Sequence, residues 1–246
     1  MKGTLTIARR EFRSYFDAPL AYVVICLGLF LLGVFFFQVK GNFWEADRAS
    51  LQQMFAQVPR GLSFLVVPVI TMRLVAEERR SGTLEMLITL PVRDYEVILG
   101  KFLGAWGLVL VLILSTALYP IFIFEFPWHL GALDSGPVLT GYLGLIIYSA
   151  AAVSIGLLVS SLTESQVIAA FVTFIVLFVL HMLGAGLTLE WLPERAEWVA
   201  AFISFDSRLL PFVRGLIHPR DIIYFLSITA GCLIAAFWAL ERRKWA

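Results

Sequence analysis

A densely charged segment interrupts the apolar sequence at residues 73–101, which read RLVAEERRSGTLEMLITLPVRDYEVILGK. This charged segment carries five basic and five acidic side chains, although only 15% of the whole chain is charged. Long apolar stretches lie on both sides of it. Because charges are costly in lipid, so many of them between two apolar stretches predict a loop that lies in water and offers a surface there.

A short helix is predicted inside the charged segment, over residues 82–90. Gly82 and Thr83 mark its start and Pro91 marks its end. Glu85 falls in the first turn, where the helix dipole favours a carboxylate. Three apolar residues at positions i, i+3 and i+4 share one face of the helix: Leu84, Leu87 and Ile88. We expect this helix to lie at the membrane surface and to dock on a partner through its apolar face.

The composition is that of an integral membrane protein. The chain of 246 residues is 60% hydrophobic and has a mean hydropathy of +0.86. A membrane span needs about 20 apolar residues, and it must be helical because lipid offers no partners to backbone groups. We therefore predict one all-α transmembrane domain over residues 1–246. Its six predicted spans are residues 19–37, 61–76, 97–124, 138–162, 166–187 and 222–240.

Two segments outside the spans are predicted to lie at the membrane surface. Residues 1–17 alternate apolar and basic side chains, which indicates an interfacial helix before the first span. Residues 188–221 are too polar to span and too aromatic for a free loop, so short re-entrant or interfacial helices are expected there. Twelve of the 19 Lys and Arg residues fall on the side of the two termini, which predicts that both termini are cytoplasmic.

Several function classes are disfavoured by the motifs. The sequence has no phosphate-binding loop G-x-x-x-x-G-K-[ST], no G-x-S-x-G and no H-E-x-x-H. We therefore expect no enzyme, no nucleotide site, no cofactor and no metal site in this chain. The predicted spans carry no Asp or Glu in their middles, which argues against ion-driven transport. His181 is the only ionisable residue deep in a predicted span, and we expect it to hydrogen-bond a neighbouring helix.

Two smaller patterns predict packing and capping. Gly100, Gly104 and Gly107 fall in the third predicted span and indicate close helix contact, either within one subunit or between subunits. Thr163 and Gln166 have the spacing of a capping box that would open the fifth span.

The charged segment resembles the cytoplasmic loop of ABC transporter permeases of the type-2 exporter (ABC-2) superfamily. The pattern of that loop is E-[ER]-x-x-G-T-x-E-x-L-x-x-x-P, and six residues match it: Glu78, Gly82, Thr83, Glu85, Leu87 and Pro91. The stretches REFRSYFDAPLAYV, SSLTESQ and FDSRLLPFVRGLIHPRDIIYFLS extend the resemblance along the chain. They are similar to the branch that contains gliding-motility permeases and the nitrous-oxide-reductase maturation permease.

The resemblance implies a multi-pass permease of the bacterial inner membrane. Such permeases have six transmembrane helices and pair with a second copy or with a related membrane subunit. Each contacts a separate cytoplasmic ABC ATPase, which binds ATP and Mg; no nucleic acid is involved. Helix 82–90 would be the coupling helix that seats on that ATPase. The implied coupling residues are Glu78, Arg79, Gly82, Thr83, Leu84, Glu85, Leu87, Ile88 and Pro91.

Other functions stay open on the sequence. The complex could export a substrate or transmit mechanical work, and the sequence does not specify the substrate. A membrane anchor or scaffold for a cytoplasmic ATPase or an assembly complex, which translocates nothing, is the main alternative. A continuous path between subunits would separate the permease from the scaffold. A membrane-embedded enzyme is disfavoured because the sequence shows no catalytic constellation.

Overall fold

The computed structural model describes residues 2–38, 51–82, 93–119, 121, 135–184 and 194–242. Within these ranges the chain is helical and contains no strand. The helices are α1 (Lys2–Asp17), α2 (Leu20–Gln38), α3 (Gln52–Gly61), a π-helical segment (Leu62–Val66), α4 (Val67–Thr71), α5 (Ala76–Arg80), α6 (Asp94–Ser115), α7 (Ser135–Leu162), α8 (Gln166–Met182), α9 (Glu194–Ile203), α10 (Phe205–Val213) and α11 (Pro219–Glu241).

Four helical runs in the described part of the chain are long and apolar enough to cross a membrane: Met54–Arg80, Asp94–Ser115, Gly136–Leu162 and Pro219–Glu241. A fifth candidate combines α1 and α2, which meet at a bend of 74°. Helix α8 is apolar but has only 17 residues. The all-helical, multi-pass architecture is therefore confirmed, whereas the number of six spans stays a prediction.

The second span, Met54–Arg80, begins earlier than the predicted residues 61–76. Its first part, α3, is amphipathic, with Met54, Phe55 and Val58 buried on one face. Polar residues on the other face lower the mean hydropathy, which is why an apolar run alone did not reveal this part. The π-helical segment and a turn at residues 72–75 divide the second span into shorter pieces.

Helix α7 lies at the centre of the bundle. It packs against the second span, α6, α8, α10 and α11. Its middle consists largely of small residues, and Ala151, Ala152 and Val153 are completely buried. At Gly156, a Cβ atom would collide with the side chain of Thr71 in α4, so glycine is required for this contact with the second span. Small side chains therefore allow α7 to contact several helices at once.

The N-terminal helix α1 packs along the first half of α6, over the predicted glycine pattern. A Cβ atom on Gly100 would lie 2.7 Å from the Cβ of Ile7, and one on Gly104 would lie 2.6 Å from the Cβ of Glu11. The contacts advance by four residues along both helices, so α1 and α6 run side by side in the same direction over this stretch. The glycines thus serve packing within the chain.

The turn between α7 and α8 corrects one prediction. Ser165, not Thr163, occupies the N-cap position of α8, and it makes no side-chain cap bond. The Thr163 hydroxyl instead donates to the Val159 carbonyl, 3.2 Å away, in the last turn of α7. The predicted capping box of Thr163 and Gln166 is therefore wrong, because the hydroxyl bonds back into the preceding helix.

Candidate functional site

An ionic cluster lies where the second span leaves the bundle. Lys101, the last residue of the charged segment, is in α6 and is only 1% exposed, so it does not belong to a loop in water. Its ammonium group donates to Glu78 Oε1 at 2.7 Å and to Glu11 Oε1 at 3.2 Å. These three residues, which we call the Glu78 cluster, connect α1, α5 and α6. We refer to this end of the bundle as the Glu78 end.

The surroundings of the Glu78 cluster fix the geometry of its charges. A buried ammonium is tolerated only when it is paired, and here two carboxylates pair with one lysine. The cluster borders a cavity of about 300 Å³ that is also lined by Tyr15. The Tyr15 hydroxyl donates to the Ile70 carbonyl at 3.1 Å. This hydrogen bond anchors α1 to the second span.

A second set of contacts at the Glu78 end joins α5 to the end of α7. The Ser160 hydroxyl oxygen accepts hydrogen bonds from the backbone N–H groups of Val75 and Ala76, at 3.1 and 3.2 Å. These groups lie at the start of α5, where helical backbone N–H groups lack intrahelical partners. The Arg79 guanidinium donates to the Ser161 carbonyl at 2.9 Å. Helix α5 is thus connected to α1, α6 and α7 at once.

The structure places two of the nine predicted coupling residues inside these contacts. Glu78 and Arg79 both bind other helices of the same chain. Gly82 follows α5 with a φ of +70°, a conformation that ends a helix. The other six lie outside the described residues: Thr83, Leu84, Glu85, Leu87, Ile88 and Pro91.

A polar cluster lies toward the other end of the second span, which we call the Arg60 end. Asp206, near the start of α10, contacts two other elements. Its Oδ1 lies 2.5 Å from His181 Nδ1, and its Oδ2 accepts from the Arg60 guanidinium at 2.7 Å. The other ring nitrogen of His181 lies 2.8 Å from the Tyr148 hydroxyl and 3.2 Å from the Ser63 hydroxyl. These five residues form the Asp206 cluster, and the hydrogen-bonding role predicted for His181 is confirmed.

The spatial order Ser63, His181, Asp206 is that of a hydrolase triad, which no sequence motif predicted. The distances fit hydrogen bonds from hydroxyl to imidazole to carboxylate. However, Ser63 and His181 are completely buried, and the Tyr148 hydroxyl lies closer than Ser63 to the same ring nitrogen. Tyr148 itself donates to the Pro59 carbonyl at 3.0 Å. A nucleophile needs access to a substrate, so this geometry supports helix packing rather than hydrolysis.

The charge of Asp206 is maintained by its partners. Burial acts to raise the pKa of the Asp206 carboxyl, but the hydrogen bonds and charges of His181 and Arg60 outweigh burial and hold the pKa below its usual value. The carboxylate is therefore ionised at neutral pH. Because a carboxylate only accepts hydrogen bonds, His181 Nδ1 carries the proton between them.

The sequence contained only weak signals for these clusters. Lys101 lies about two turns into an apolar helix, and no local pattern pairs it with Glu11, which is 90 positions away. Asp206 stands 25 positions from His181. The usable signal was the histidine itself, since an ionisable side chain within a span requires a partner from another element.

Comparison with known proteins supplies the family. A family model described as "ABC-2 family transporter protein" matches residues 58–240, well over half of the chain. The matched region contains the whole Asp206 cluster and, from the Glu78 cluster, Glu78 and Lys101. A search among curated proteins finds no match.

Proposed function

Because this chain belongs to the ABC-2 family of transporter proteins, we propose that it is the permease subunit of an ATP-driven complex in a bacterial inner membrane. Its family forms the membrane component of transporters, which agrees with the multi-pass helical architecture. A separate cytoplasmic ABC ATPase would bind ATP and Mg and would supply the energy for export or for mechanical work. Its likeness to the gliding-motility and nitrous-oxide-reductase maturation branch is part of this proposal.

The observation that carries the proposal is the set of contacts at the Glu78 end. Residues 83–92 connect α5 to α6 in the sequence. The Lys101–Glu78 contact joins α5 to α6. Lys101 also binds Glu11 of α1, and Arg79 of α5 binds the Ser161 carbonyl of α7. A push on residues 83–92 is thereby distributed to four helices. This is the arrangement that a coupling loop needs if ATP-driven movement is to reach the membrane spans.

The coupling set combines two roles. Leu84, Leu87 and Ile88 form the apolar face that docks on the ATPase, and Glu85 presents a charge to it. Glu78 and Arg79 attach the start of the loop to the bundle and do not contact the ATPase, since both bind other helices of the chain. In this arrangement the Glu78 end faces the cytoplasm, as do both termini.

The permease is proposed to work with a second membrane subunit, either another copy or a related chain. Apolar side chains project outward along two helices of the bundle. On α8 these include Phe171 (63% exposed), and on α11 they include Trp238 (61% exposed). Such faces are stable only against lipid or another membrane subunit. A translocation path would then run between subunits.

Photo-crosslinking from defined positions tests this function. A photoreactive amino acid replaces Ser81, which is exposed at the end of α5, in chains expressed in native membranes. We expect an adduct with an ABC ATPase, identified by mass spectrometry. The matched control replaces Trp198, which is 71% exposed on α9 at the Arg60 end.

The pattern of adducts decides between the alternatives. An ATPase adduct from position 81 and none from position 198 supports both the coupling loop and its cytoplasmic orientation. An adduct from position 198 alone would reverse the orientation. Absence of an ATPase adduct from both positions would contradict the proposal. A complex that forms but shows no path between subunits in any nucleotide state would favour the scaffold.

A further inference from the structure

The second span carries an ionic contact at each of its two ends. Glu78 binds Lys101 at one end, and Arg60 binds Asp206 at the other. Both contacts belong to the same helical run, Met54–Arg80. The π-helical segment and the turn at residues 72–75 lie between the two contacts, and the backbone of the second span connects them.

Arg60 holds the short helix α10 through a charge-assisted hydrogen bond. The Asp206 carboxylate lies between Arg60 of α3 and His181 of α8, so it links three elements.

Helix α10 is also tied to α11 by the buried ion pair of Arg208 with Asp221, at 2.9 Å. It is tied to α7 by the Thr140 hydroxyl, which donates to the Phe212 carbonyl at 2.8 Å. The contact with Arg60 joins α10 to the second span, and a short ion pair fixes the relative position of two groups.

We propose that Arg60 and Asp206 form a coupling pair that makes α10, with the attached α9, follow the second span. Both are positioning residues in this role. The inference rests on the proposed function for the source of movement, while the pair itself rests on its geometry. It would connect the loop that meets the ATPase to the short helices at the opposite end of the bundle.

The test uses the full chain in lipid nanodiscs, with Cys26 and Cys232 replaced by alanine. Leu209→Cys provides the reporter thiol, because Leu209 is 5% exposed on the packed face of α10. The alkylation rate of this thiol by a polar maleimide measures how often α10 leaves the bundle. The variants are Asp206→Asn, Arg60→Met, the double variant and the conservative Arg60→Lys. Arg214→Gln, an exposed arginine just after α10, is the matched control.

The expected result is non-additive. Asp206→Asn and Arg60→Met each raise the alkylation rate at least about tenfold, because loss of a charge-assisted hydrogen bond changes an opening equilibrium by that order. The double variant reacts no faster than Asp206→Asn alone, while Arg60→Lys and Arg214→Gln react like the parent. An unchanged rate in Asp206→Asn, or effects that multiply in the double variant, would overturn the coupling pair.

A second arm tests transmission in the complex with the ATPase. Mg-ATP with vanadate should change the Leu209→Cys alkylation rate in the parent and should leave it unchanged in Arg60→Met. If the ATPase is bound but Mg-ATP with vanadate leaves the alkylation rate of the parent unchanged, the proposed transmission through this pair is contradicted. If no ATPase co-purifies, the proposed function fails and the inferred transmission falls with it, whereas the first arm still decides whether the pair holds α10.

Discussion

Lys101 illustrates how a single buried charge can organise one end of a membrane bundle. Its ammonium group is almost inaccessible, yet it contacts carboxylates from two other helices. Water cannot solvate it there, so its stability depends on Glu11 and Glu78. The same dependence makes the cluster a point where three helices must move together.

Removing the lysine should therefore destabilise the protein strongly. We predict that Lys101→Met lowers the free energy of unfolding by about 3–5 kcal/mol, because Glu11 and Glu78 then lose the buried cation that they share. Adding Glu11→Gln and Glu78→Gln should recover much of the loss. The measurement is denaturant unfolding in detergent, with the exposed Arg80→Gln as control. A Lys101→Met variant as stable as the parent would show that the cluster contributes little.

The pH dependence of the Asp206 cluster has a defined sign. Because the folded-state pKa of Asp206 lies below its usual value, the stabilisation is present above the unfolded-state pKa of about 4 and is lost as pH falls through the folded-state value. We predict that the Tm difference between the parent and Asp206→Asn stays constant from about pH 5 to 8 and shrinks below about pH 4. Thermal scans across this range measure it, and a difference that already collapses near neutral pH would contradict the assignment.

At the scale of elements, the contact of α1 with α6 depends on glycine. Gly104 lets the backbones approach, with Ala8 O only 3.2 Å from where its Cβ would be. The glycine spacing in the sequence predicted close contact but could not choose the partner, since the same spacing suits packing within or between subunits. The amphipathic character of α1 predicted a helix, but its packing along α6 requires the tertiary structure.

A methyl group at this contact should displace α1. We predict that Gly104→Ala costs about 1–3 kcal/mol, because the backbone of α1 cannot yield as a flexible side chain would. Limited proteolysis near α1 and unfolding in detergent provide the measurement. Gly231→Ala in α11 is the control, since nothing lies within 4 Å of its Cβ position. If both variants behave alike, the glycine contact has no special role.

At the scale of the whole molecule, hydropathy predicted most of the helical bundle correctly. The fourth and sixth predicted spans, residues 138–162 and 222–240, lie within α7 and α11. The second span was too short in the prediction because its first part buries only one face. The two polar clusters could not be predicted, since their members are brought together by packing between helices and not by local spacing. The residues of the family motif, in contrast, lie close together in the sequence, so the motif could be recognised from the sequence alone.

The contacts within the bundle show how the proposed coupling loop, residues 83–92, would be attached to the membrane spans, which the motif alone does not show. Helices α5 and α6, which flank residues 83–92, are joined at Lys101, and the second span continues from there to Arg60. Two polar clusters thus lie near the two ends of one helical run. In the proposed complex, this run carries movement from the ATPase toward α10.

The measurement that tests the central claim most directly is a pull-down of the tagged chain from native membranes, with ATPase activity assayed on the eluate. We predict that the parent elutes with an ABC ATPase and that Leu87→Asp, inserted in equal amount, elutes without it, because a carboxylate disrupts the apolar docking face. Met86→Asp, on the opposite face of the predicted coupling helix, should retain the ATPase. A parent chain that elutes without ATPase activity, or a Leu87→Asp variant that keeps it, would contradict the account.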